Sequence, residues 1–314
     1  MTKRIGLLYG MERSFPATLA EEINRAGGGK VVAEPAQLGV LRYDRAPPYD
    51  VILDRISQDV EFYRDYLKQC CFYGTQVVNN PFWWSADDKY FGCMVGKSVG
   101  VAQPKTVLLP QRDRPEGTEG ESFSNLEFPI RWEEEVFEYL GFPIFIKPAD
   151  GGGWRGVSKC DTPEEFMDAY AKSATDTMMA QEAIEYSQYF RIYGLGREHV
   201  HIMRYAPENP HHLRYVVDQP PVDGELKTRI ERDTLALCGA LGYDFNTVEL
   251  AMRDDVLYAI DFTNPAPDAE RSSVGDANFD WIVKHAAEFL IDRANNPRAF
   301  EITGEWPRAA GLTE

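Results

Sequence analysis

The chain has 314 residues, 44% of them hydrophobic, and a formal net charge of −17. That length and apolar content suit two or three domains with real cores and exclude a disordered or fibrous chain. The acidity argues against a general nucleic-acid binder, since neutralising phosphates needs clustered Lys and Arg. A nucleotide held by two or three local cations stays within reach.

In chain order, Lys3–Gly10 (KRIGLLYG) is an apolar run closed by glycine and reads as a first strand. Phe15–Gly27 has helical spacing and ends on a candidate glycine C-cap. KVVAEPAQLG, YDVILDRIS and TQVVNNP supply further strands, with an amphipathic helix at Val60–Gly74. Strands alternating with helices predict a small parallel α/β domain, drawn over residues 1–84. Ser85–Gly100 begins with N-cap chemistry and reads as a helix, and Pro104–Pro110 as a strand. Gln111–Pro129 is polar and rich in Gly, Pro and Glu, the composition of a long surface loop. A helix through EEEVFEYLG, the strands FPIFIKP and VSKC, a helix at DTPEEFMDAYAK capped by Asp161 or Thr162, and the strand TMMAQEAI follow. Beyond Tyr189, the segments YFRIYGLG, HVHIMRY, LRYVV, TVELAM and VLYAID alternate apolar residues as strands do. Long helices are predicted at LKTRIERDTLALCGALG and near FDWIVKHAAEFLIDR.

The first apolar run is too short for a signal-peptide core, and no stretch reaches the ~20 apolar residues of a membrane span, so a cytoplasmic protein without membrane partners is expected. The five cysteines include the adjacent pair Cys70–Cys71, which suits neither a disulfide framework nor a zinc knuckle and predicts buried thiols. His199 and His201 share one face of a strand, but no local Cys or acidic cluster makes them a metal site.

The stretch FIKPADGGGWRGVSKC carries the chemistry. GGGWRGVS nearly matches the phosphate-cradling pattern GxxxxGK[ST], with Val157 where the Lys belongs; the Lys comes earlier, at Lys147. Glycines let backbone N–H groups crowd phosphate oxygens, and a Lys on the preceding strand adds a point charge. An ammonium at the end of the buried run FPIFI needs an anion to offset its desolvation. Around this stretch stand NNPFWWSADDK, AQEAIEYSQYFRIYGLG and NTVELAMRDDVLYAIDFTNPAPD.

This ordered set resembles the ATP-grasp superfamily, in the branch of ribosomal-protein glutamate ligases, glutathione synthetases and D-alanine–D-alanine ligases. The resemblance runs over about Ile5 to Leu290. It implies an α/β fold of α+β lobes: a small N-terminal parallel α/β domain (1–84), a small lobe with a glycine lid (85–180) and a large lobe with a metal site (181–314). ATP would lie between the lobes. By position, Lys89 and Lys147 resemble the two phosphate-contacting lysines. Gly151, Gly152, Gly153, Trp154, Arg155 and Gly156 resemble the lid over the phosphates. Gln181, Glu182, Ala183, Ile184 and Glu185 resemble the hinge beside adenine. Ser187, Gln188 or Tyr189 stands where the family places a ribose-binding carboxylate.

Glu249, Asp261 and Asn264 resemble the Mg²⁺ ligands, Asp268 being a further candidate. The family usually spaces the closing pair Glu-x-Asn; here the spacing is Asp-x-x-Asn, with Phe262 in the place of the acid if Asn264 is aligned, and a bulge could restore the geometry. The resemblance gives Arg191 and Arg204, on adjacent predicted strands, the transferred phosphate or acyl group; Arg214 is balanced between that role and a surface ion pair. Arg55, at the end of an N-terminal strand, is a candidate substrate contact. The implied activity is ATP-dependent amide or peptide bond formation between a small carboxylate and an amine, an amino acid or peptide among them, through an acyl phosphate, with ATP and Mg²⁺. The same fold also admits a small-molecule kinase or a non-catalytic nucleotide-binding regulator. Homodimers are common among such relatives.

Overall fold

The structure, a computed structural model, describes residues 2–82, 89–210, 213–216 and 219–298. Among the described residues there are three sheets. The first is parallel, in the order β2 (Val31–Pro35), β1 (Lys3–Leu8), β3 (Val51–Asp54), β4 (Gln76–Val78). Helix α1 (Ser14–Ala26) buries Phe15, Leu19 and Ile23 on one face, and α2 (Glu61–Phe72) buries Tyr66, Leu67 and Cys70 on the other. With both faces covered, β3 is buried along its whole length, and its sequence VILD is accordingly apolar until its last residue.

Helix α3 (Lys89–Ser98) follows; its expected N-cap residue, Ser85, lies outside the described residues. The second sheet is antiparallel, in the order β5 (Thr106–Leu109), β8 (Met178–Glu182), β6 (Ile144–Pro148), β7 (Ser158–Cys160). The expected helix at EEEVFEYLG is a π-helical turn, Glu133–Phe137, continued by the short α4 (Glu138–Leu140). The predicted loop from Gln111 holds one 3₁₀ turn, Gly120–Phe123. Helix α5 (Pro163–Ala171) starts where Thr162 Oγ1 accepts from Glu165 N, which settles the cap between the two candidates. Ile144, Ile146, Phe166 and Tyr170 form this lobe's core. The drawn boundary at 180 falls inside β8, whose pairing runs through Glu182.

The third sheet has the order β11 (Tyr215–Val216), β10 (His199–Tyr205), β9 (Gln188–Leu195), β12 (Phe245–Arg253), β13 (Val256–Asp261). One face lies on α6 (Gly224–Leu241) and α3, where Phe190, Ile192, Val248 and Leu250 meet Ile230, Leu237 and Val95. At the His199 end, the other face packs on α8 (Asp276–Asn295), which follows the short α7 (Arg271–Val274). The same helix also packs against the first sheet, so one core joins the N-terminal domain to the large lobe. His199 and His201 do share that face, and His201 stacks on Trp281. All five cysteines are free; Cys70, Cys160 and Cys238 are buried as expected, whereas Cys71 and Cys93 are only half-buried. Among the described residues, no helix is long and apolar enough to cross a membrane.

Candidate active site

On the small-lobe side, β6 and β8 pair so that Lys147 stands opposite Met179 and Phe145 opposite Gln181. Directly opposed residues share a face, so these four point together, away from the core that holds Ile144 and Ile146. Lys147 Nζ donates to Gln181 Oε1 (3.0 Å) and to the carbonyl of Ile260 (3.5 Å) on β13 of the large lobe. Gln181 is held in turn by donating Nε2 to Thr106 Oγ1 (3.0 Å). Both acceptors of Lys147 are neutral oxygens, which satisfy its hydrogen bonds without offsetting its charge.

The glycine loop runs between β6 and β7. Gly151, Gly153 and Gly156 have φ of 75°, 72° and 68°, the region where a side chain is strained, so this path needs glycine. A Cβ on Gly152 would meet nothing within 4 Å, which leaves open space beside the loop. Lys89 Nζ donates to the carbonyl of Gly151, so both predicted lysines and the loop converge. Trp154 is 52% exposed, and Arg155 is exposed.

The hinge follows β8. Glu182 Oε1 accepts from Arg253 (2.7 Å), whose other nitrogen donates to the Tyr258 hydroxyl, linking the lobes. Ala183 N donates to the carbonyl of Pro143 (3.1 Å). Ile184 is buried with Tyr189, Tyr205 and Ala251, flanked by Tyr258 and Ile260, an apolar wall of the kind a flat base stacks on. Glu185 is exposed.

Across the cleft, Arg191 on β9 and Glu249 on β12 are directly paired in the register. Arg191 donates to Glu249 Oε1, the Tyr189 hydroxyl donates to Oε2 (2.6 Å), and the ion pair is 12% and 8% exposed. The pairing of β12 with β13 slips between Glu249 and Leu250: Leu250 opposes Ala259, but Glu249 opposes Asp261. Ile260 is the extra residue of a β-bulge, which turns Asp261 toward Glu249. Without it, Ile260 would oppose Glu249 and Phe262 would lie on the same face; instead Phe262 is buried in the core beneath. Asn264 donates Nδ2 to the carbonyl of Thr247 (3.1 Å), and its N–H to Asn246 Oδ1 (2.9 Å), so its amide is fixed at the end of the same strands.

Burial pushes the Glu249 pKa above its ordinary value, with Arg191 opposing and the neighbouring Asp261 charge adding to the rise. Burial works against the Arg191 cation too, but Glu249 and the surrounding tyrosines prevail, and its pKa is raised. Two carboxylates thus face each other, with one buried guanidinium on the other side of Glu249. Glu249, Asp261 and Asn264 form an all-oxygen set, the donor chemistry Mg²⁺ takes, and a divalent cation would offset their mutual repulsion. Among the described residues, no group of three or more His, Cys, Asp or Glu could hold a metal ion, so the set depends on the Asn264 amide. The residues present fit ATP with Mg²⁺: cations and backbone donors on one wall, oxygen ligands on the other.

Three predicted residues stand apart. Arg204 pairs with Phe190 in the register, which puts it on the opposite face from Arg191; it donates to Gln188 Oε1 (2.8 Å) and the carbonyl of Pro220. The structure does not bring it to the acids. Asp268 accepts from Glu270 N (3.0 Å) and from the Ser273 hydroxyl of α7, which ties it to the start of that helix. Arg55 is buried, paired with Glu12 and donating to the carbonyl of Pro267 (2.6 Å), a tie between the N-terminal domain and the large lobe. No motif in the sequence marks Tyr205, Tyr258 or Arg253 for this site, and Tyr189 stands where a ribose-binding carboxylate is missing. The alternation Tyr189–Arg191 on one strand was the available signal for a shared face.

A cleft with cations and a glycine loop on a four-stranded lobe, and acids on a five-stranded lobe, belongs to the ATP-grasp class of folds. Comparison with known proteins agrees. Residues 127–190 match the family model for the carbamoyl-phosphate synthase L chain ATP-binding domain. D-alanine–D-alanine ligase from Bacillus anthracis, complexed with ATP, superposes with a TM-score of 0.65 at 16% identity, covering 92% of this chain and 95% of that one. A RimK domain ATP-grasp protein from Sphaerobacter thermophilus DSM 20745 gives 0.65 at 15% identity, covering 92% and 98%. Biotin carboxylase 2 of Bacillus subtilis (strain 168) is 25% identical over 137 residues, 39% of this chain and only 30% of that protein. The chain has the ATP-grasp fold.

Proposed function

We infer that this protein is an ATP-dependent carboxylate–amine ligase. The observation that carries the reading is the junction at Lys147: a small-lobe ammonium bonded to the bulge residue Ile260, next to the opposed carboxylates Glu249 and Asp261. It supports a site where a terminal phosphate meets a lysine on one side and metal-binding oxygens on the other.

In the proposed reaction, a substrate carboxylate oxygen attacks the γ-phosphorus of ATP and ADP leaves. An amine then attacks the acyl carbon, inorganic phosphate leaves, the nitrogen loses its proton and an amide remains. Mg²⁺, when held by Glu249, Asp261 and Asn264, would neutralise phosphate charge. Lys147 and Lys89 would hold the phosphates. Arg191, fixed by Glu249 and lying over the Tyr205 ring, would face the transferred group; a planar guanidinium suits phosphate and carboxylate oxygens. The glycine loop would exclude water from the acyl phosphate, and Ile184, Tyr258 and Ile260 would flank the base. The chain's task is positioning and charge neutralisation. Substrates of amino-acid or peptide type fit the solved proteins it superposes on, which include a D-alanine–D-alanine ligase.

The test is coupled ADP release from the purified protein with MgATP and pooled amino acids and small carboxylic acids. Release that needs a pool and disappears in Lys147→Ala supports the reading. A product mass equal to both substrates less water identifies a ligase; a gain of phosphate alone identifies a kinase and overturns it.

A further inference from the structure

The glycine loop carries one residue whose backbone it does not need. Trp154 has φ of 63°, which a bulky side chain adopts only where its surroundings hold it. Its ring lies beneath the guanidinium of Arg214, 5.4 Å from the ring centroid. Arg214 stands in the connection before β11, where Arg214 Nε donates to the carbonyl of Asn209 (3.0 Å) and its own carbonyl accepts from Ala206 N (2.8 Å). These bonds close the connection on itself and aim the side chain. The same guanidinium lies near enough to the Tyr205 hydroxyl to oppose the rise that burial gives its pKa. Tyr205 lies under Arg191, 5.5 Å from the guanidinium, and Arg191 is bonded to Glu249. A continuous series of contacts therefore runs from the lid to the metal acid: Trp154, Arg214, Tyr205, Arg191, Glu249. The chemistry proposed above uses the last two members directly and has no task for Arg214.

We propose that Arg214 is a positioning residue: by stacking on Trp154 it fixes the glycine loop over the nucleotide and couples that closure to the Arg191–Glu249 pair. The inference rests on the nucleotide reading of the cleft. Arg214 touches no reacting atom; it acts through the loop. An arginine suits the task because its flat cation stacks on an indole face while its edge hydrogen-bonds elsewhere, which a lysine cannot do together.

Closure has a readout that does not need turnover. Arg155 is exposed in the loop, and trypsin cleaves after it. The quantity measured is the ratio of nicking rates after Arg155, located by mass spectrometry, without and with Mg²⁺ and a non-hydrolysable ATP analogue. Analogue affinity is measured alongside by calorimetry. In the wild type the analogue slows nicking. In Arg214→Ala the affinity stays within about threefold while protection falls by roughly fivefold, the factor that loss of one partly exposed cation–π stack supports. Arg214→Lys falls between the two. Trp154→Ala reproduces the loss, and combining it with Arg214→Ala adds nothing further, because both remove the same contact. Full protection in Arg214→Ala, or losses that add in the double variant, overturns the proposal while leaving the nucleotide reading intact. Failure of the wild type to bind the analogue overturns both.

Discussion

Along β9, β10 and β12, neighbouring residues meet opposite environments. Toward α6 the strands present Phe190, Ile192, Val248 and Leu250, all fully buried among hydrocarbon. Toward the cleft the same strands present Tyr189, Arg191, Tyr205 and Glu249, a buried charged pair ringed by phenols. Two arginines on neighbouring strands illustrate the difference. Arg191 opposes Glu249 and faces the acids, while Arg204 opposes Phe190 and has neutral oxygens as partners. Register parity, not proximity in sequence or residue type, separates a candidate catalytic cation from a structural one.

The largest expected effect lies on the cleft face. Glu249→Gln should reduce MgATP-dependent ADP formation by about 100-fold or more, the scale of losing one preorganised electrostatic group. Activity within a few-fold of wild type would remove Glu249 from the chemistry. Stability should respond on the same face. Arg191→Met alone leaves a buried carboxylate without its cation and should destabilise by about 3–5 kcal/mol, whereas Arg191→Met with Glu249→Leu should recover most of that loss. Denaturant titration distinguishes this from two independent losses, which would add.

A smaller effect follows from the raised Glu249 pKa. Burial lifts it above the ordinary 4.5, so the folded protein holds this proton more tightly than the unfolded chain does. Without metal, the contribution of this carboxyl to stability is best at low pH and declines as pH rises from about 4.5 through the folded value. Stability-against-pH curves for wild type and Glu249→Gln should therefore converge in acid and separate in that window, to the disadvantage of the wild type. Mg²⁺ should bind more tightly as pH rises there, because binding displaces the proton. Parallel curves across the window would contradict the assignment. The smallest effect belongs to the other face. Arg204→Ala should cost about 1 kcal/mol of stability through its lost hydrogen bonds and leave ADP formation within about threefold; a hundredfold loss would mean that the parity argument fails.

Much of this was legible in the sequence because it is local. Glycine at the ends of helical runs, apolar strands and the IFIKP–glycine sequence each mark an element by short-range chemistry, and the helices and strands they mark are present. The glycine loop beside Lys89 and Lys147 follows from the order of motifs along the chain. What was not legible depends on register between distant strands. The spacing shows that a bulge could restore the geometry near Asp261, but which residue it displaces, Ile260, is set by pairing with β12. Placing Arg204 with Arg191 failed for the same reason, since each strand alternates but neither says which of its faces meets its neighbour. Arg55 ends a strand where ligands often bind, yet Glu12 and Pro267, distant in sequence, bury it. Arg214 and Trp154 are 60 positions apart and meet only because the glycine loop lies against the connection before β11.

The central claim is that the cleft face of this sheet and the lysine-bearing lobe hold MgATP between them. The most direct test is calorimetric titration of a non-hydrolysable ATP analogue, with Mg²⁺, into wild type and Lys147→Ala. Saturable one-to-one binding to the wild type, weakened at least about tenfold in the variant, is the predicted result. Equal affinity in the two proteins, or no binding to either, would contradict the account.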